Sequence, residues 1–261
     1  MRRLGGLAEL RFDLLLLDVW GVLHDGERIY PEVNDTLIRL RDVGRRVLLV
    51  SNASWREERL IRHLESLGIG RGFHCGAVTA GDVTRATLAA GARGLGRRYW
   101  FAGSDENSYL LAGLGYRVVG DDAAADFVLL TDRPEPGSVV LDRALAYGLP
   151  LVCANPDTRA PQGTQSLERA GAIAADYRAR GGRVLMTGKP HRVIFEAALS
   201  REPARAPLVC GDGIETDLAG AHAVGLPSVW VARSASDLAQ FATMRERLDI
   251  KPLGLLTTLL F

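Results

Sequence analysis

The chain has 261 residues, 47% of them hydrophobic and 24% charged, enough for a core domain with a second domain inserted in it. No run approaches the roughly 20 apolar residues of a membrane-spanning helix, and 32 Lys and Arg against 31 Asp and Glu leave a net charge of +1, which gives no reason to expect nucleic acid or an anionic membrane as partner. Glu9, Arg11 and Asp13 interrupt a signal-peptide pattern, and Cys75, Cys153 and Cys210 are far apart in apolar sequence, as suits reduced, buried thiols in a cytoplasmic protein.

Leu14 to Leu17, four apolar residues between Asp13 and Asp18, predicts a strand buried on both faces. Val22 to Tyr30 reads as a flap or hairpin. Pro31 to Asp42 reads as a helix with Val33, Leu37, Ile38 and Leu40 inward, stopped by Gly44. Arg46 to Val50 is a second strand, Trp55 to Leu67 a helix with Leu60, Ile61, Leu64 and Leu67 on one face, and Ala77 to Thr79 a third strand. From about Gly81 the composition shifts toward Ala, Gly and Arg and a new alternation begins. Strands are expected at Tyr99 to Ala102, Tyr116 to Val119, Phe127 to Thr131 and Leu151 to Ala154, with helices at Ser104 to Leu114 and Val139 to Tyr147. This makes an α/β domain of its own, ending near Gly181-Gly182. The first alternation then resumes with VLMTGKP, a helix at His191 to Ser200, PLVCGDG, a helix at Glu215 to Val224, and PSVWVA, and the apolar end KPLGLLTTLLF is expected to pack onto the core. The predicted fold is α/β: a Rossmann-like doubly wound parallel sheet built from residues 1–80 and 185–261, with an inserted α/β cap at 81–184.

Chemistry-bearing residues fall at the predicted strand ends. Asp18 ends the first strand, facing the crevice where open α/β sheets bind ligands, and Gly21 lets the chain turn behind it; an Asp that merely caps a turn is the plain alternative. Ser51 and Asn52 end the second strand, where they can receive phosphate oxygens or cap the next helix. Lys189 precedes Pro190 in TGKPH. Asp212 and Asp217 stand five apart in GDGIETD, where flanking glycines let the backbone approach an ion and acids also suit a helix's first turn. Glu215 and His191 read as helix-start residues.

These four segments, in this order, resemble the motifs of the haloacid dehalogenase superfamily of aspartate-nucleophile hydrolases. The resemblance is closest to the branch with a large α/β cap between the second and third motifs, the NagD-like and nitrophenylphosphatase-like enzymes, and it covers nearly the whole chain. It implies a Mg²⁺-dependent phosphohydrolase acting on a small phosphorylated metabolite. Asp18 would attack phosphorus to give an aspartyl phosphate. Asp18, Asp212 and the main-chain carbonyl of Trp20 would hold Mg²⁺, with Asp217 orienting metal-bound water. Lys189 would orient the nucleophile and neutralise the phosphoryl group, and Ser51 and Asn52 would bind phosphate. The segment ANPDTRAPQG looks like the Asn-Pro-Asp loop of this branch and offers Asn155 and Asp157 as substrate contacts or as a hold of cap on core. Capped members are often dimers, so a homodimer is expected.

Trp20 departs from the pattern. The family's phosphatases usually carry a second Asp there, which protonates the leaving oxygen and later deprotonates water, a service worth about 10² to 10⁴ in rate. An indole N–H donates a hydrogen bond but does not exchange its proton at neutral pH. Turnover is therefore expected to be restricted to good leaving groups or to use another acid, His24 in the flap being the candidate. Two further readings are a haloacid-dehalogenase-type carbon–halide hydrolase, whose members resemble this chain in an aromatic residue at that position, and a weakened phosphate-binding regulatory protein. A receiver domain also pairs a strand-end Asp with Lys and Mg²⁺, but the long insertion and the late acid pair oppose it.

Overall fold

The chain's apolar runs become strands and its amphipathic segments become the helices that cover them. The computed structural model describes residues 1–92, 94–120, 124–134, 139–163, 165–233, 238, 241, 244 and 247–261. In chain order it contains β1 (Leu14–Leu17), α1 (Val33–Asp42), β2 (Arg46–Ser51), α2 (Glu57–Ser66), β3 (Ala77–Thr79) and α3 (Ala80–Ala89). There follow β4 (Arg98–Ala102), β5 (Arg117–Val118), β6 (Phe127–Leu130), α4 (Val140–Ala146), β7 (Leu151–Cys153), the hairpin β8 (Arg159–Gln162) and β9 (Gln165–Glu168), α5 (Ala170–Ala179) and β10 (Val184–Met186). The last are α6 (Arg192–Arg201), β11 (Pro207–Gly211), α7 (Ala219–Ala223), β12 (Ser228–Val231) and β13 (Gly254–Leu256).

Two parallel sheets result. The first runs β13-β12-β11-β1-β2-β3 and the second β10-β7-β6-β4-β5, with β8 and β9 as a separate antiparallel pair. The period of two along β1 and β2 divides the first core between two faces. Leu15, Leu17, Val47 and Leu49 pack on the side that holds Leu37 of α1 and Leu60 of α2. Leu14, Leu16, Leu48 and Val50 pack on the other, against Ile194, Phe195 and Ala198 of α6. Each such Leu contributes roughly 1.5–3 kcal/mol by leaving water; with both faces covered, a slip of the central strand would trade Leu for Leu but draw Asp13 or Asp18 in among apolar neighbours, which opposes it.

Several local expectations change. Thr36 rather than Ile38 completes the buried face of α1, its hydroxyl donating to the carbonyl of Leu259 at 2.9 Å. The expected helix at 104–114 is a run of 3₁₀ turns at Asp105–Leu111. The expected helix at 215–224 opens as a π turn at Ile214–Leu218 and only then becomes α7. The helices α3 and α5 and the hairpin β8–β9 had no counterpart in the sequence reading, and Cys75 is half-buried rather than buried. Residues 184–186, assigned there mostly to the returning core, form β10, which pairs with β7 of the second sheet. The apolar carboxyl terminus adds β13 and buries Leu256 and Leu259 in the first core. No helix among the described residues is long and apolar enough to cross a membrane.

The topology brings strand ends together. Asp18 follows β1, Ser51 closes β2 and Asp212 follows β11, while Asp132 follows β6 and Asn155 to Asp157 follow β7. The chain leaves the second sheet after β10 and delivers Lys189 three residues later into the crevice of the first.

Candidate active site

Asp18 is 7% exposed and lies beside the ammonium of Lys189, itself 2% exposed. Lys189 Nζ donates to Asp18 Oδ1 at 2.5 Å, to Asp217 Oδ1 at 2.8 Å and to the carbonyl of Val50 at 3.0 Å. These three bonds use all its hydrogens. Its reach to a substrate is therefore through the carboxylates it holds. Asp217 is fixed in turn by Gly213 N–H at 3.2 Å and the Thr216 hydroxyl at 3.4 Å, both on its second oxygen.

The glycines here are required by contact. A Cβ on Gly21, whose φ is +81°, would lie 1.9 Å from Asp212 Oδ2, and one on Gly211 would lie 2.2 Å from Asp217 Cγ. The glycines flanking Asp212 thus make room for neighbouring side chains, Gly213 for Thr216 and Gly211 for Asp217.

Three carboxylates share the crevice with one ammonium. Burial and then the charges of Asp18 and Asp217 push the Asp212 carboxyl well above the usual range. Burial, with Asp18 next, raises Asp217 to about 7 against the pull of Lys189. Burial alone would lower Lys189, but the carboxylates of Asp18, Asp217 and Asp157 raise it above its ordinary value. All three shifts report an excess of negative charge held out of water. One oxygen from each of Asp18, Asp212 and Asp217 lies within 4.8 Å of the others, a spacing that could hold a metal ion. The donor set is all oxygen, which fits a hard divalent cation such as Mg²⁺ and not a soft one.

Ser51 and Asn52 are each 2% exposed. The Ser51 hydroxyl accepts from Ala53 N–H at 3.1 Å, keeping its own hydrogen for a ligand. Asn52 is a brace. Its Oδ1 accepts from Lys189 N–H at 2.6 Å, and its Nδ2 donates to the Lys189 carbonyl at 3.1 Å and to Asp157 Oδ1 at 2.7 Å. Both amide hydrogens are spent, one of them tying Asp157, in the loop after β7, to Asn52 behind β2. Asn155 forms the turn that presents it, accepting from Asp157 N–H at 3.1 Å.

A cavity of about 300 Å³ joins these groups; its lining includes Asp18, Ser51, Lys189 and Asp212 from the first sheet's crevice and Asp157 and Arg159 from the segment after β7. A smaller cavity of about 80 Å³ adjoins it, walled by Trp20 and Trp55, Asp132 and Arg169, with Asp157 and Ala160 again on the boundary. Sequence reasoning missed Arg159, Asp132 and Arg169; the first stands two residues after Asp157 within the ANPDTRAPQG segment, and the others carry no local signal. Glu215, at the cavity's edge, pairs with Arg247.

His24 does not enter either cavity. It is fully buried, its Nδ1 accepts from Gly26 N–H at 2.9 Å, and its Nε2 has no hydrogen-bond partner among the described residues. The ring packs edge-on against Trp20 and His63, at centroid distances of 4.5 and 5.4 Å. Burial, then His63, lower its pKa to about 4. The flap histidine is part of an aromatic cluster with Trp20, Trp55 and His63, and the role of alternative acid falls away from it.

A parallel α/β core with strand-end carboxylates, a buried lysine and a second α/β domain over the crevice is the architecture of a capped α/β hydrolase. The haloacid dehalogenase-like hydrolase model matches residues 15–117 and the HAD-hydrolase-like model residues 186–252. A haloacid dehalogenase-like hydrolase from Brucella suis superposes with a TM-score of 0.86 at 31% identity over 99% of both chains. The chain therefore belongs to the haloacid dehalogenase-like hydrolases. It is also 30% identical to the D-glycerol 3-phosphate phosphatase of Mycobacterium tuberculosis, over 84% of this chain and 62% of that one, so it spans less than two thirds of that relative's length. A crystal structure of the M. tuberculosis glycerol phosphate phosphatase with magnesium matches with a TM-score of 0.74 and 28% identity, over 94% of this chain and 74% of that one.

Proposed function

We propose that this chain is a Mg²⁺-dependent phosphohydrolase of small phosphorylated metabolites that works through an aspartyl phosphate on Asp18. The observation that carries the reading is the buried Lys189, which grips Asp18 and Asp217 together beside Asp212. Asp18, Asp212 and the Trp20 main-chain carbonyl are the groups that would hold Mg²⁺, with Asp217 behind them. Bound there, the ion would supply positive charge to the phosphoryl oxygens. Lys189 holds one oxygen of Asp18 and aims the carboxylate, so that the other oxygen is free to attack phosphorus. Ser51 donates to a phosphoryl oxygen, and the phosphatase and magnesium named for the relatives support the substrate class and the ion.

The proposed cap is the insertion expected at residues 81–184, carried to residue 186 by the pairing of β10 with β7, and it closes the crevice through the Asp157 loop. A homodimer in the cytoplasm completes the reading, supported by the three free thiols for the compartment and by the resemblance to dimeric capped enzymes for the assembly.

The test is hydrolysis of 4-nitrophenyl phosphate, glycerol phosphate and 2-chloropropionate with Mg²⁺ and with a chelator. Phosphate release that needs Mg²⁺, together with a mass increase on Asp18 in a quenched reaction, is expected. Chloride release independent of the metal would establish the carbon–halide reading that Trp20 invites.

A further inference from the structure

If the phosphohydrolase reading holds, the alkoxide expelled from an alkyl phosphate needs a proton, and Trp20 cannot give one. The titratable side chains lining the main cavity are few. Asp18 is the nucleophile. Lys189 has spent its hydrogens on Asp18, Asp217 and Val50. Asp212 and Asp217 belong to the ion-holding cluster, and Glu215 is paired with Arg247. Ser51, Thr158 and Thr216 are alcohols and Arg159 is a guanidinium, and the protons of both groups are too firmly held for acid catalysis near neutral pH. His24 lies outside the cavity.

Asp157 is left, and it is well placed. It is the one carboxylate that lines both the main cavity, with the nucleophile, and the adjoining cavity walled by Trp20 and Trp55, where a leaving group would rest. Asn52 Nδ2 holds its Oδ1 at 2.7 Å and Asn155 fixes its main chain. Among the described residues no protein donor takes its second oxygen. Burial raises the tendency of this carboxyl to carry a proton, with Asp217 acting in the same sense; Lys189, the Asn52 hydrogen bond and Arg169 oppose them.

We propose that Asp157, contributed by the loop after β7, performs the proton transfer that Trp20 cannot. In the first half-reaction the Asp18 Oδ–phosphorus bond forms, the ester P–O bond breaks, and the departing oxygen takes the proton of the Asp157 carboxylic acid. In the second, a water oxygen bonds to phosphorus, the Asp18 Oδ–phosphorus bond breaks, and the Asp157 carboxylate takes the water's proton. Asp157 ends as it began, and one phosphate and one alcohol are released. Because the acid arrives on the second domain, closing the crevice and completing the catalytic set become one event.

The test reads kcat/KM, which reports the first half-reaction, across esters of different leaving groups, with wild type, Asp157→Asn and Asp157→Asn combined with Trp20→Asp. The amide of Asp157→Asn still accepts a hydrogen bond from Asn52, so the brace survives. Glycerol phosphate should lose about 10² to 10⁴ in kcat/KM, while 4-nitrophenyl phosphate, whose phenolate needs little protonation, should lose less than about tenfold. Adding Trp20→Asp should return much of the glycerol phosphate activity. Equal losses on the two esters, or no recovery in the double variant, would overturn the role of Asp157. No Mg²⁺-dependent turnover of 4-nitrophenyl phosphate by the wild type would overturn the phosphohydrolase reading itself, and this proposal with it.

Discussion

The first sheet and the second are built alike, parallel strands under helices with carboxyl ends turned to a common crevice, yet their strand ends carry different cargo. Behind β1, β2 and β11 sit Asp18, Ser51 and Asp212, with Lys189 and Asp217 locked against them at 2% exposure. Behind β6 and β7 sit Asp132, Asn155 and Asp157, partly buried and contributing walls. The ion pairs of the second domain, such as Arg98–Asp126 and Arg180–Asp142, lie on its surface. Charge is kept out of water only where it has a task, because desolvating an ion pair costs more than its attraction returns unless the geometry is closely held. The first domain supplies that geometry through Asn52 and the glycines at 21, 211 and 213; the second has no equivalent among the described residues.

The largest effect that would break this contrast is on turnover. Asp18→Asn should reduce phosphate release by on the order of 10⁴-fold or more, measured on 4-nitrophenyl phosphate with far-ultraviolet circular dichroism as the control for folding. Stability should then separate charge from cation. Lys189→Met leaves Asp18 and Asp217 buried without their counter-charge and should lower the unfolding free energy by about 3–5 kcal/mol in urea titrations. Asp18→Asn removes one of three crowded carboxylates and should cost much less.

The aromatic cluster beside the crevice gives a third, smaller effect. The His24 pKa of about 4 lies below its ordinary 6.5, so the unfolded chain takes up the proton first. Its contribution is complete above pH 6.5 and is lost as pH falls toward 4, about 3 kcal/mol in all. The slope of stability against pH in that window should flatten in His24→Asn. Mg²⁺ at 100 times its Kd should stabilise the protein by about 2.7 kcal/mol, seen as a rise in Tm that Asp212→Asn abolishes. At the small end, Arg180→Ala removes a surface pair of the second domain and should leave Tm unchanged.

Much of this was legible beforehand. The run at Leu14 to Leu17 could be read as a strand because four apolar residues closed by acids have few other uses, and the positions of Asp18, Lys189, Asp212 and Asp217 followed from motif order. The hairpin β8–β9 was not legible, since its residues are mostly exposed and polar and leave no alternation to see. Nor was α3, whose Ala, Gly and Thr content suits several structures. Asn52 and His24 were given tasks by their residue type that their surroundings assign elsewhere: an amide with both hydrogens on protein acceptors cannot also bind substrate through them, and an imidazole sealed among aromatic rings cannot exchange protons with a substrate.

By itself the amino-acid order determined which segments bury themselves and which reactive groups end up at strand termini, because burial follows periodicities of two and 3.6 that are written locally. Only the folded arrangement decided which of those groups act on one another. Asp18 and Lys189 are 171 positions apart and 2.5 Å apart in space, and a hydrogen bond, which needs its partners within about 3 Å, has no trace in spacing along the chain.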